Sequence, residues 1–382
     1  MMRAQTETWC QADGHADYAL FEDFNAWIDE GDVDLELPFL RKLSEVGLSQ
    51  PSKAFFAGDR EAYEQALQAF RDERRREALS WDHFVETFGE EDGVHWFERN
   101  EQRFDQLVEC LSTQEVVPFV GAGISSDGGF PTWSNHLKTQ GRTAGIPPAQ
   151  INAWLEQGQY EEVIAHIEQV RGRATFEQEI RDAFSKRGTI RDITLLVSEM
   201  FSDTLITTNY DRLLEQVYDT GARGVKVING VTAMELPDPE KVTIIKIHGD
   251  FKDPAHCILG KTQYDQAYGQ PALDLQKPVP KILKRYYSNN SLLFLGCSLR
   301  QDRTLQVFQA TKAEAGDHAF PQHFAFEQIP EKLEDLLARN SELLLLGITP
   351  IWFPKGQYDQ VESLLRHARN ELNFLKARTE KM

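Results

Sequence analysis

The sequence predicts an α/β protein: a doubly wound, mostly parallel sheet with an inserted helical module, preceded by an all-helical N-terminal extension. Three observations carry that expectation. Short apolar, β-branched runs alternate with helical patterns from residue 116 onward. Residues 148–186 break the alternation with helix after helix. Residues 16–111 show helical periodicity and no strand pattern.

In order along the chain, "DYALFEDFNAWIDEG" sets Tyr18, Phe21, Phe24, Trp27 and Ile28 at helical spacing. "DREAYEQALQAFRDERRREAL" is rich in strong helix formers, and "HWFERNEQRFDQLVECLS" leads into the first strand. Seven strands are expected: 116–120, 204–208, 225–228, 242–247, 292–296, 323–326 and a run within 347–353. Residues 148–186 read as two or three helices set into the α/β domain. The domains expected are 1–111 (helical extension), 112–375 (α/β domain) and 376–382, a polar, frayed tail.

The chain has 382 residues, 41% of them hydrophobic, and a net charge of −19. Residues 1–110 hold 26 acidic and 11 basic side chains, so most of that charge lies in the extension. Direct nucleic-acid binding is not expected of so acidic a unit. It reads either as a solvated helical surface or as a docking face for a basic partner. No apolar run approaches the roughly 20 residues of a membrane span, and no signal-peptide core is present, so a cytoplasmic location is expected. Cys10, Cys110, Cys257 and Cys297 are scattered without C-x-x-C spacing. Reduced thiols are expected, and neither a metal site nor a disulfide framework.

Polar residues gather where strands end. "VVPFV" runs into Gly121-Ala122-Gly123-Ile124-Ser125, "TLITT" into Asn209-Tyr210-Asp211, "VTIIKI" into His248-Gly249, and "LLFL" into Gly296-Cys297-Ser298. Ligands of open α/β sheets bind outside the carboxyl ends of the strands, so four such ends point to one crevice. Glycines after a strand let the backbone turn tightly and approach a pyrophosphate, although an ordinary strand-to-helix turn uses them too. Asn209 and Asp211 either cap the next helix or orient a ligand. His248 is either a hydrogen-bonded turn residue or a general base. Asp302 is expected to cap the helix that follows. The usual dinucleotide fingerprint is incomplete: Ser126 stands at the third glycine position, and no acidic residue occurs from Gly129 to Leu155. A dehydrogenase is therefore disfavoured.

The four motifs, in this order, resemble the sirtuin family, over roughly residues 112–370. Two departures separate the chain from its protein deacetylases. The segment after His248 holds one cysteine, Cys257, where a zinc module has two C-x-x-C pairs. After Pro131 stand Thr132, Trp133 and Ser134 in place of an Asp-Phe-Arg run. "GAGISSDGGFPTW", "TTNYD" and "HGD" are similar to the bacterial sirtuin-like branch found in anti-phage defence.

That resemblance implies a Rossmann-like fold and NAD+ as a substrate, hydrolysed to nicotinamide and ADP-ribose, with no metal. It implies Asn209, His248 and Asp211 as catalytic residues: Asn209 positions a water near the nicotinamide ribose, His248 takes a proton, and Asp211 holds the loop or the ribose. Gly121, Ala122, Gly123 and Ser125 would cradle the pyrophosphate, and Gly296 and Ser298 would contact the adenosine half. Phe130 and Trp133 would wall the nicotinamide pocket or simply pack the loop; Pro131 and Thr208 complete the binding set. Expected partners are further copies of the chain and a separate defence protein, a HerA-like ATPase or a short Argonaute. A protein deacylase and a non-catalytic NAD- or ADP-ribose-binding module remain as alternatives.

Overall fold

The structure, a computed structural model, describes residue 18 and residues 21–30, 51–113, 115–221, 223–231, 235–300, 303–316 and 319–380. Cys10 and Asp302 lie outside the described residues. The chain divides into two compact units. One takes in the described residues of 1–101 with those of 366–382; the other is Gln102–Leu365.

The first unit contains α1 (Glu22–Asp29), α2 (Pro51–Gly58), α3 (Arg60–Ala78) and the start of α4 (Trp81–Thr113), within which the unit ends. Phe24, Ile28, Phe55, Phe56, Tyr63 and Leu67 form its core, as apolar residues at helical spacing must when they share a face. Tyr63 is wholly buried, and its hydroxyl donates to Asn25 Oδ1 at 2.5 Å, which satisfies both groups. The sequence expectation set the boundary at residue 111 and gave the C-terminal helix to the second domain. Arg71, however, makes two hydrogen bonds to the Glu371 carboxylate, at 2.9 and 2.7 Å, and Phe21 packs on Phe374. Residues 376–380, expected as a frayed tail, continue the last helix.

The second unit is built on a seven-stranded, all-parallel sheet: β1 (Val116–Val120), β2 (Thr204–Thr207), β3 (Val225–Asn229), β4 (Val242–Lys246), β5 (Ser291–Leu295), β6 (His323–Gln328) and β7 (Ile348–Phe353). Each expected strand is present, and the spatial order is β3-β4-β2-β1-β5-β6-β7. Parallel strands covered on both faces read as near-continuous apolar runs, and β2, β4, β5 and β7 are buried at every position. Pro118 has no N–H to donate, and β1 pairs with β2 only beyond it, at Phe119 and Val120.

Helices connect the strands: α5 (Ala122–Asp127), α6 (Trp133–Thr143), α7 (Pro148–Glu156), α8 (Tyr160–Arg171), α9 (Arg173–Phe184), α10 (Asp192–Met200), α11 (Leu213–Tyr218), α12 (Lys261–Tyr268), α13 (Pro278–Asn289), α14 (Arg303–Ala315), α15 (Leu333–Leu345) and α16 (Asp359–Glu380). The expected helical insert is α7–α9. Its buried face, including Ile151, Val163, Ile167, Phe176 and Phe184, closes over Phe130, Leu137 and Tyr210. Strand order reverses direction between β1 and β5, which is where a doubly wound sheet opens its crevice.

Candidate functional site

The four polar motifs end four consecutive strands, β4-β2-β1-β5. Thr207, the last residue of β2, pairs with Val120 of β1 and with Lys246 of β4. Asn209 and His248 each stand two residues beyond that shared level, on neighbouring strands. Parallel register therefore delivers both side chains to the same edge of the sheet.

Thr207 fixes the start of the Asn209 loop. Its Oγ1 donates to the Val120 carbonyl at 2.8 Å and accepts from the Asn209 amide at 3.0 Å. Asn209 is buried, and its Nδ2 donates to the Gly121 carbonyl at 2.9 Å and to Ser125 Oγ at 3.0 Å. A carbonyl only accepts, so the orientation of this carboxamide is set. Both Nδ2 hydrogens are used, and Oδ1 is the atom that can accept from a water or hydroxyl. Ser125 in turn hydrogen-bonds the Asp211 carboxylate.

Asp211 makes an Asx turn ahead of α11, whose N-cap residue is Arg212. Its Oδ1 accepts from the Leu213 amide at 3.0 Å, at the first residue of α11. Burial pushes its carboxyl above the ordinary range, against the opposing pull of the Leu213 amide and Lys246. Asp211 thus acts through Ser125 and the loop.

At the crevice itself, β1 and β5 meet backbone to backbone. The Gly121 amide donates to the Leu295 carbonyl at 2.8 Å, and the Gly123 amide to the Gly296 carbonyl at 3.0 Å. A Cβ on Gly121 would stand 2.5 Å from the Gly296 carbonyl oxygen, and one on Gly123 would stand 2.8 Å from Gly296 Cα. Gly296 has φ +66°, and its own Cβ would meet the Ile124 nitrogen at 2.7 Å. These glycines are required by the close approach of the two chains, whatever ligand lies above them.

His248 is buried, with Nε2 3.0 Å from Tyr268 Oη. The Tyr264 ring stands edge-on to the imidazole at a centroid distance of 5.5 Å. A cavity of about 200 Å³ adjoins Tyr268 and is lined also by Gln270, Arg303 and Gln306. The Arg303 guanidinium there is held by Asp265 at 2.6 Å and Glu161 at 3.2 Å.

Lys246, wholly buried, binds the two loops together. Its Nζ donates to the carbonyls of Tyr210 (3.3 Å) and Asp211, and lies 3.2 Å from Glu215 and 3.3 Å from Asp250. Arg212 reaches the same carboxylates at 3.1 and 3.7 Å. Sequence reasoning missed this cluster. Its signal was a lysine inside the otherwise apolar run "VTIIKI". Tyr268 was also missed; the i, i+4 tyrosine pair on α12 is what marks it.

Other expected site residues sit differently. Phe130 is buried and Trp133 half-buried in the core of the helical insert, Phe130 beside Phe184 and Trp133 beside Phe176 and Tyr210. Ala122, Gly123, Pro131 and Thr208 are half-buried. The Ser298 side chain is exposed while its carbonyl accepts from Arg339 at 3.2 Å. The next residue, Leu299, is held at φ +44°, a left-handed backbone that L side chains adopt reluctantly. Cys110, Cys257 and Cys297 are not in disulfides. Burial pushes the Cys257 thiol up to about 12, which leaves it unreactive. Among the described residues no helix is long and apolar enough to cross a membrane.

Residues 203–351 match the family model of the SIR2-like domain. The match contains the strand ends at Asn209, His248 and Gly296, and starts after the β1 loop. "NAD(+) hydrolase ThsA" of Bacillus cereus (strain MSX-D12) is 22% identical over 266 residues, covering 66% of this chain and 54% of the relative. "NAD(+) hydrolase ThsA" of Cytobacillus dafuensis is 26% identical over 162 residues, 42% of this chain and 31% of the relative. "Defense-associated sirtuin 2" of Bacillus subtilis is 20% identical over 266 residues, 67% of this chain and 25% of the relative. The chain thus spans less than two thirds of each of these relatives. The sirtuin-like resemblance carried by the four motifs is borne out by these matches.

Proposed function

We propose that this chain, with its SIR2-like domain, is an NAD+ hydrolase that cleaves the nicotinamide–ribose bond, yields nicotinamide and ADP-ribose, and acts in anti-phage defence by depleting cytoplasmic NAD+. The supporting observation is the arrangement of Asn209 and His248 two residues past one register level, on neighbouring strands, beside the glycine-lined opening between β1 and β5. The names of the relatives point to the same reaction.

The chemistry asks little of the protein beyond placement. Nicotinamide leaves NAD+ as a neutral group, and positive charge builds on the ribose as the bond breaks. A site gains most by immobilising that ribose and holding a water on its open face. Asn209 Oδ1, oriented by Gly121 and Ser125, accepts from that water or a ribose hydroxyl. His248 takes the proton. Asp211 is a positioning residue that holds Ser125 and the start of α11. The loop Gly121–Ser125 receives the pyrophosphate, with Ala122 and Gly123 half-exposed to it, and Gly296 and Ser298 face the adenosine half.

Residues 112–375 are assigned to catalysis and the acidic extension to partner contact. The protein acts as a homo-oligomer, with a separate defence protein as its trigger. No metal is needed for this reaction.

The test is turnover of etheno-NAD by wild type, Asn209→Ala and His248→Ala, alone and with a HerA-like ATPase or a short Argonaute added. Losses of about 100-fold or more in folded variants are expected. Folded variants as active as wild type overturn the assignment. Tight NAD+ binding with no turnover, even with the partner, indicates a binding module instead. Consumption that requires an acylated peptide indicates a deacylase.

A further inference from the structure

Tyr268 Oη, 3.0 Å from His248 Nε2, is also 3.3 Å from Thr304 Oγ1. Tyr268 is completely buried and Thr304 nearly so, which keeps bulk water from substituting for either contact. Three separate elements supply the three groups: the loop after β4, the last residue of α12 and the first turn of α14. Tyr264, one turn earlier on α12, stacks on Tyr268 at 5.8 Å and braces the imidazole edge-on. The ring of His248 is thereby held in one plane.

A phenol has one proton, which it gives to one neighbour at a time. The protons along these two contacts can run in either of two directions. In the first, His248 Nε2–H donates to Tyr268 and Tyr268 donates to Thr304; Nδ1 then carries the lone pair. In the second, Thr304 donates to Tyr268 and Tyr268 donates to Nε2; Nδ1 then carries the hydrogen. Only the first gives His248 a nitrogen able to accept a proton from a ribose hydroxyl or a water.

We infer that Tyr268 and Thr304 are positioning residues that fix His248 in the Nε2–H tautomer through a two-hydroxyl relay. The inference rests on the role of base given to His248 above. In a Ser-His-Asp triad a buried carboxylate sets the histidine tautomer and also stabilises the imidazolium. Here a phenol contacts Nε2 and a hydroxyl contacts the phenol. His248 is then an oriented base, suited to a reaction whose leaving group departs without protonation.

The decisive measurement is the long-range ¹H–¹⁵N correlation spectrum of the full-length protein labelled at histidine, with His248→Asn used to assign the signal. An Nε2–H pattern at His248 in wild type, replaced by a tautomer mixture in Tyr268→Phe, is the expected result. An Nδ1–H pattern in wild type overturns the inference. This readout needs no turnover, so it stands apart from the success or failure of the NAD+ hydrolase reading. In kinetics, Tyr268→Phe is expected to lower kcat about 10- to 100-fold with KM nearly unchanged, and Thr304→Val to lower it less. Thr304→Ser, which keeps the hydroxyl, is expected to restore activity. A folded Tyr268→Phe protein with the wild-type kcat overturns the relay.

Discussion

Lys246 Nζ lies 3.2 Å from Glu215 Oε1, with no part of the lysine side chain exposed. Removing one member of a buried ion pair leaves the other charge stranded, typically at about 3–5 kcal/mol. Lys246→Met is expected to destabilise the fold by roughly that amount, because it removes the buried cation shared by Glu215 and Asp250 and leaves them Arg212 at 3.1 and 3.7 Å. Urea unfolding of the two proteins measures it; an unchanged midpoint contradicts the bracing role.

The opening between β1 and β5 makes a second expectation. Gly296→Ala meets both a left-handed φ and a Cβ 2.7 Å from the Ile124 nitrogen. Gly129→Ala meets a left-handed φ of +93° with nothing within 4 Å. The first is expected to cost about 3 kcal/mol or more and the second about 1–2, on the scale of backbone strain. Parallel denaturation curves give the ranking, and equal losses would refute the close-approach explanation.

Asp211 gives a pH-dependent expectation. Its carboxyl titrates above the ordinary range because it is buried, so the native state holds that proton more tightly than the unfolded chain. The stabilisation is present at acid pH and is lost as pH rises through the raised value. Asp211→Asn, which keeps an oxygen for the Leu213 amide, is therefore expected to melt higher than wild type at pH 8. That advantage shrinks as pH falls towards 4. Melting curves across this range check it, and an advantage independent of pH argues against burial as the cause.

Two buried histidines act in the opposite sense. Burial holds His136 down to about 4 and His323 down to about 3. A base with a depressed native value stabilises the fold above its unfolded value and loses that contribution as pH falls. At pH 5 the loss is about 2 kcal/mol for each group. The ring of His136 packs on Trp133, Phe176 and Phe184, and its Nε2 has no hydrogen-bond partner among the described residues. His136→Phe is thus expected to fold and to lose less stability than wild type between pH 7 and pH 5. Equal acid sensitivity would show that His136 is not a source of it.

The strands were legible in the sequence because parallel strands covered on both faces read as apolar runs, as β2, β4, β5 and β7 do, while their spatial order was not. The insert was legible because Ile151, Val163, Ile167, Phe176 and Phe184 repeat at helical spacing. Strand ends with unusual polar residues located Asn209 and His248. What the sequence withheld was pairing across distance. Nothing local says that Tyr268 reaches His248, or that Lys246 accepts the job of joining two loops. Phe130 and Trp133 show the same gap from the other side: an aromatic near a glycine loop reads alike whether it walls a ligand pocket or packs the loop, and both rings join the core of the helical insert.

The backbone seam of Gly121, Gly123 and Gly296 also sets where this site can be retuned. Three positions that touch one another without side chains offer no substitution that keeps the chains together. Any laboratory selection for a different nucleotide, or for a dead but ligand-binding variant, has to work through the rim instead. Ala122, Ser126 and Ser298 are the positions there with room to vary. A library aimed at the glycines would return mostly unfolded protein, and one aimed at the rim would sample specificity on an intact scaffold.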